Sequence, residues 1–288
     1  MRINLSWLVS GYFVGDSSIG EIREMCKAAG FAGIEGAPHL FDGKTDSELE
    51  AIRDEFRAAG LPIESFHLPF AQRDDIASFY ETDRRSAVDN MKRCISLAAA
   101  LGAKVCIQHP TTNRNSVETE GLDPYMRQIS KSLETLLPEA ERLGITVAIE
   151  NMVPRTPGRF CSQPKHLQMI LEEFAGSNLG TCLDIGHANM TGGSEVLDGF
   201  FDAMEPSLVA FHLQDNAGDR DSHLAPGHGT TDWNTVFRRI SKMSFHRPVC
   251  IETPPFGPGP SYSLESWVRL REEMDGLVND ALNPSVSN

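Results

Sequence analysis

A single α/β domain built as a (β/α)8 barrel is what this 288-residue sequence predicts, and three observations lead there. Short runs rich in Val, Ile, Phe and Leu alternate with longer segments whose apolar residues recur every three or four positions, the periods of strand and helix. The alternation is counted eight times, and parallel neighbours require such crossovers. No glycine-rich phosphate loop follows the first strand, which removes the commonest sequence sign of an open doubly wound sheet and favours closure.

In chain order the strands are read at 3–7, 33–36, 63–67, 105–109, 146–150, 180–184, 209–213 and 249–252, every one short and apolar. The helices between them begin near Ser18, Asp46, Asp83, Asp123, Gln163, Ser194, Asp232 and Ser263. Ser and Asp suit several of these starts because a short side-chain oxygen reaches a free backbone N–H. The pairs Ala29-Gly30, Ala59-Gly60, Leu101-Gly102 and Leu143-Gly144 place a glycine just past a helix, where positive φ is needed, and a strand follows each. The barrel is assigned to residues 1–279 and a frayed C-terminal tail to 280–288.

The charge of -14 repels phosphodiester backbones and draws divalent cations toward clefts lined with carboxylates. Nucleic acid is therefore disfavoured as a partner, and a small molecule preferred. Six cysteines without a CxxC pair read as buried, reduced thiols. The opening MRINLSWLVSGYF lacks a basic segment followed by a long apolar run, and no run approaches membrane-spanning length, so the cytoplasm is expected. Self-association is left open.

In a barrel, chemistry collects at the C-terminal ends of the strands. Of nine histidines, seven (His39, His67, His109, His187, His212, His223 and His228) fall at a strand end or in the loop after it. Carboxylates join them there: Glu150 and Glu252 each follow an apolar strand directly, and burying an ionised carboxylate there is costly unless an ion or a donor compensates. Asp184 and His212 occupy equivalent ends. These four are the candidate metal ligands, against the plainer readings of structural salt bridges, a helix cap at Asp184 and a core histidine at His212. The spacing Asp-x-x-His brings His187 to the same rim. His67 and His109 suit either substrate hydroxyls or bracing of a ligand. Asp221, His223 and His228 lie in a polar loop after the seventh strand, with a solvated loop as the alternative. Arg73, Arg114, Arg155, Arg159 and Arg220 are rim candidates for gripping an anion.

With those residues in place, the sequence resembles the xylose-isomerase-like superfamily of TIM barrels, which unites sugar isomerases, ketose epimerases, inosose-processing enzymes and type IV apurinic endonucleases. The likeness spans nearly the whole chain, through VAIEN ending at Asn151, CLDIGH ending at His187, FHLQD around His212, HLAPGHGTTDW from His223 and CIET around Glu252. The resemblance to the ketose epimerases implies one divalent ion on Glu150, Asp184, His212 and Glu252, with Glu150 and Glu252 also moving the proton. It implies substrate contacts from His187, and the His223–Gly229 stretch resembles the pocket-shaping loop of the sugar isomerases. Mn2+, Mg2+ or Co2+ suits the mixed oxygen and imidazole set, with Zn2+ as an alternative. The substrate implied is a small carbohydrate. A further glutamate of those epimerases is Thr156 here, so the resemblance does not fix the identity of the ketose.

The alternative is a tri-zinc phosphodiesterase acting on DNA, like the type IV endonucleases. His67, His109, Glu150, Asp184, His187, His212, Asp221, His223 and Glu252 would supply its ligands, although the segments around His67 and His109 lack those enzymes' extended polar strings. A third reading is a catalytically idle sugar-binding barrel or a lyase partner subunit.

Overall fold

The computed structural model describes residues 3–15, 17–112, 116–154, 158–255 and 263–283. Eight parallel strands close into a barrel in sequence order: β1 (Leu5–Leu8), β2 (Ile34–Gly36), β3 (Ile63–His67), β4 (Val105–Gln108), β5 (Thr146–Glu150), β6 (Leu179–Asp184), β7 (Leu208–Leu213) and β8 (Val249–Ile251). Closure runs through Leu5↔Val249 and Trp7↔Ile251, and leaves no sheet edge. The predicted strands agree with these to within two residues at either end.

Helices pack around the outside, and the local signals explain their ends. Ser18 caps the helix Ile19–Ala29 in a reciprocal box with Glu21, and Thr45 does the same for Asp46–Ala58 with Glu48. Gly30, Gly60, Gly102 and Gly144 all take positive φ where a helix hands over to a strand.

Two expectations change. The helix after β6 starts at Ile185, not at Ser194, because the Asp184 side chain accepts the His187 N–H and caps it directly. Its kink at Gly192 and Gly193 falls just before Ser194, where the sequence suggests a start. The last helix, Leu264–Leu282, also runs through Asp280 and Ala281, which had been assigned to the tail. Residues 284–288, Arg114, Arg155 and Thr156 lie outside the described residues. All six cysteines are buried and free, and among the described residues no helix is long and apolar enough to cross a membrane.

The barrel interior explains where the site sits. Val105, Ile107, Ala148, Cys182 and Ala210 pack together inside it. Side chains two positions apart share a face of a strand, so the inward residues after Ala148, Cys182 and Ala210 are Glu150, Asp184 and His212. By the same period Glu252 follows Cys250. A small apolar floor thus carries a polar layer at the C-terminal mouth.

Candidate metal centre

Glu150, Asp184, His212 and Glu252 converge as the period requires, each offering a ligand atom within 4.8 Å of the others. His212 Nδ1 lies 3.1 Å from Glu150 Oε1 and 2.9 Å from Glu252 Oε2. Glu150, Asp184 and His212 are fully buried, and Glu252 is nearly so. Each carboxylate keeps one buried oxygen without a hydrogen bond: Glu150 Oε2, Asp184 Oδ2 and Glu252 Oε2. Glu150 Oε2 does sit 3.0 Å from His109 Nε2, and Glu252 Oε2 near His212, but neither contact is aligned as a hydrogen bond. Unsatisfied buried carboxylate oxygens are costly, and three on the carboxylates of one cluster are what a divalent cation would satisfy.

The electrostatics agree. Burial raises the Asp184 carboxyl to about 7, with Glu252, Glu150 and Asp221 pushing the same way and His187 opposing. Against burial, His212 above all holds Glu150 well below the ordinary carboxylate range, and His212 and His223 hold Glu252 down at about 2. Burial opposes a charge on His212, yet Cys182, Glu252, Glu35 and Glu150 raise it far above an ordinary imidazole. The carboxylates are thus balanced by imidazolium protons, the charges a metal would displace.

Two further groups flank the four. On one side His109 faces Glu150 Oε2, and His67 Nε2 lies 3.8 Å from the same oxygen. The His67 ring stacks on His212 with centroids 5.6 Å apart. Burial lowers His109 despite Glu150, which favours the neutral ring. On the other side Asp221 sits between His187 Nε2 at 3.4 Å and His223 Nε2 at 3.3 Å. Both imidazoles rise to about 10 against burial, His187 through Asp184 and Asp221, His223 through Asp221 and Glu252. His67, His187 and His223 each place Nδ1 on a backbone carbonyl, of Leu68, Asn151 and Glu252, which aims Nε2 at the site.

Asp221 and His223 therefore line the mouth of the cluster, with 32% of the Asp221 side chain still exposed. His228 does not: its Nε2 pairs with Glu273 at 2.9 Å away from the cluster. His39 is exposed in the short turn Pro38–Leu40. Of the described arginines, Arg159 is buried and donates to the Thr111 carbonyl, Arg73 lies in the open beside Asp74, and Arg220 is exposed.

Sequence reasoning passed over the residues that hold this layer in place. Asn151 exchanges hydrogen bonds with the Asp184 backbone, and Gln214 Nε2 donates to Asp184 Oδ1 and Asp221 Oδ1. Asp215 accepts from the N–H groups of Asn216, Gly227, Gly229 and Thr231 and from Trp233 Nε1, folding the loop that carries Asp221 and His223. Glu35, wholly buried in β2, reaches His212 Nε2 at 3.0 Å. A glutamate inside the buried run Ile34–Gly36 was the available signal, because an apolar strand interior does not hold a carboxylate without a partner.

Residues 24–273 match the sequence model of a family described as xylose isomerase-like TIM barrel. The chain is 27% identical over 264 residues to an uncharacterized protein, y4fM, of Sinorhizobium fredii, covering 83% of this chain and 82% of that protein. It is 23% identical over 266 residues to a probable endonuclease 4 of Mycoplasma pneumoniae, covering 82% and 86%. Among solved structures, it resembles a D-tagatose 3-epimerase-like protein with a TM-score of 0.78 at 23% identity, over 98% of this chain and 100% of that one. It resembles the IolI protein with a binding zinc atom with a TM-score of 0.79 at 16% identity, again over 98% and 100%. At such identities the two structures speak to the fold.

Proposed function

The chain belongs to the xylose isomerase-like TIM barrel family, and from that premise we propose that it is an isomerase or epimerase of a small carbohydrate or related hydroxy-carbonyl compound. We assign one divalent ion to Glu150, Asp184, His212 and Glu252. The observation that carries this reading is their convergence within 4.8 Å with three buried carboxylate oxygens lacking a donor. Bound there, Mn2+, Mg2+ or Co2+, with Zn2+ as the alternative, would polarise a substrate carbonyl and so stabilise the enediolate left when the adjacent proton departs.

The chain's own residues supply the rest. Glu150 and Glu252 reach His212 from different strands, so a carbonyl compound over the cluster has a carboxylate on each side. One glutamate takes the proton beside the carbonyl, and the other returns one to the neighbouring carbon or the opposite face. Their low pKa values leave both ionised at rest, so the glutamate that returns a proton must first take one from solvent or from a substrate hydroxyl. His187 and His223, charged at neutral pH, donate to substrate oxygens, as do His67 and His109 from the other flank. The cytoplasmic location expected from the sequence remains part of this proposal.

The test is exchange of solvent deuterium into a panel of ketoses and aldoses by metal-loaded protein, with metal content measured in every variant. Glu150→Gln and Glu252→Gln should each abolish exchange. Normal exchange in both defeats the mechanism.

A second reading, a three-metal phosphodiesterase acting on DNA, draws on the flanking groups His67 with His109 and His187 with Asp221 and His223, and on the endonuclease 4 relative. The charge of -14 weighs against it. Metal analysis separates the two: a single exchangeable ion per chain favours the first, whereas three tightly held zincs with cleavage of abasic DNA favour the second.

A further inference from the structure

Glu35 lies deeper in the barrel than the four residues assigned to the ion. The register between β2 and β3 shifts between Ile34 and Glu35, so that Glu35 stands opposite Ser65. Such irregularities re-aim a side chain at the cost of regular pairing. Here the re-aimed carboxylate has Oε2 2.5 Å from Ser65 Oγ, which donates to it, and Oε1 3.0 Å from His212 Nε2. Cys250 completes its surroundings on the His212 side. A carboxylate in this position is expensive to bury, and neither closing the barrel nor packing its floor calls for one.

We propose that Glu35 is the positioning residue of the metal-binding imidazole. By accepting the Nε2–H of His212 it fixes the tautomer in which Nδ1 carries the lone pair, and Nδ1 is the nitrogen that faces Glu150 and Glu252. The anion also makes that lone pair more basic, and Ser65 holds the carboxylate so that the ring cannot turn. The order from the barrel interior to the mouth is Ser65, Glu35, His212, ion. Carboxylates behind metal-bound imidazoles act in this way, and their loss typically weakens binding by roughly 10- to 100-fold. The inference rests on the proposed reading only in requiring an ion at His212.

The experiment titrates Mn2+ into wild type, Glu35→Ala and Glu35→Gln by calorimetry, and records the visible spectrum of each with Co2+. Glu35→Ala should bind Mn2+ about 10- to 100-fold more weakly and shift the Co2+ bands, because His212 loses its orientation. Glu35→Gln should recover most of the affinity, since its amide oxygen accepts the same N–H, and its matching shape keeps the test valid should the alanine variant not fold. A folded Glu35→Ala protein with wild-type affinity and an unchanged Co2+ spectrum overturns the inference alone, as does a Glu35→Gln protein no better than alanine. A wild type that binds neither ion overturns both this inference and the metal-dependent reading.

Discussion

Replacing Asp184 by Asn should separate stability from metal binding. Asp184 Oδ2 is buried without a donor, within a cluster whose ligand atoms lie within 4.8 Å of one another. Two like charges about 5 Å apart repel by roughly 3 kcal/mol at an effective dielectric near 20. Because the raised pKa of Asp184 makes the folded state hold its proton, the repulsion is realised only as pH rises through about 7. A carboxyl whose folded pKa is raised contributes stability below its unfolded value and loses it on the way up to the folded one. At pH 8 the penalty is therefore complete. An amide at position 184 keeps Oδ1 as acceptor for the His187 N–H and Gln214, and turns an N–H donor toward Glu150 and Glu252. Part of the gain is lost with the attraction to His187, which leaves about 1–2 kcal/mol in chelator. That corresponds to roughly 2–6 °C in thermal midpoint for a domain of this class. With Mn2+ at 100 times its dissociation constant, wild type should gain about 2.7 kcal/mol, and the variant, short of one anionic ligand, little. Differential scanning fluorimetry at pH 8 should show the order of the two proteins reverse between EDTA and Mn2+. A variant less stable than wild type in EDTA, or one stabilised equally by Mn2+, refutes the reasoning.

His166, buried on the helix Pro164–Glu173, accepts the Cys161 N–H on Nδ1 and is lowered to about 4 by burial and Lys165. The unfolded chain therefore binds the extra proton between about 6.5 and 4, so stability should fall with decreasing pH across that window by roughly 2–3 kcal/mol, and urea midpoints of wild type and His166→Gln should converge at its acid end. A parallel pH dependence of the two would refute the assignment. Asp215→Ala leaves its five donors without their acceptor, and should cost about 3 kcal/mol or more in urea unfolding and open the chain to trypsin after the exposed Arg220. An unchanged digestion pattern would show that the loop is held by other means. Gly186→Ala would drive a methyl group into Gln214, the brace of Asp184 and Asp221, so it should destabilise by about 1–3 kcal/mol and weaken Mn2+ binding in calorimetry; wild-type values for both would show that Gln214 moves aside freely.

The barrel was legible because its signals are local and repeat. Strand periodicity, a cap and a closing glycine recur in unit after unit, and the helix ends at Gly30, Gly60, Gly102 and Gly144 follow from backbone sterics that the residue names alone determine. The helix after β6 escaped because one residue has two duties. Asp184 ends the strand, caps the next helix with Oδ1 and keeps Oδ2 for the cluster, so no polar linker separates strand from helix. The kink at Gly192 and Gly193 then displaced the apparent start to Ser194, where composition resembles a loop.

The site was legible at its surface and hidden at its base, for one physical reason. Period two carries Glu150, Asp184 and His212 inward at the mouth once Ala148, Cys182 and Ala210 are known to face the interior, and that placement needs only the sequence of each strand. What orients those groups depends on register between strands. The shift at Ile34 and Glu35 that sets Glu35 against Ser65 leaves no mark on either segment alone. Asp221 is visible in the sequence by its chemistry, but its place between His187 and His223 depends on Asp215 gathering donors from both ends of a loop. Residues that would touch an ion are announced by their chemistry at strand ends, whereas residues that aim them are defined by neighbours distant in the chain. Substitutions in the second group should therefore alter the affinity and geometry of metal binding while leaving the ligand set intact, and this separates them from substitutions of Glu150, Asp184, His212 or Glu252 themselves.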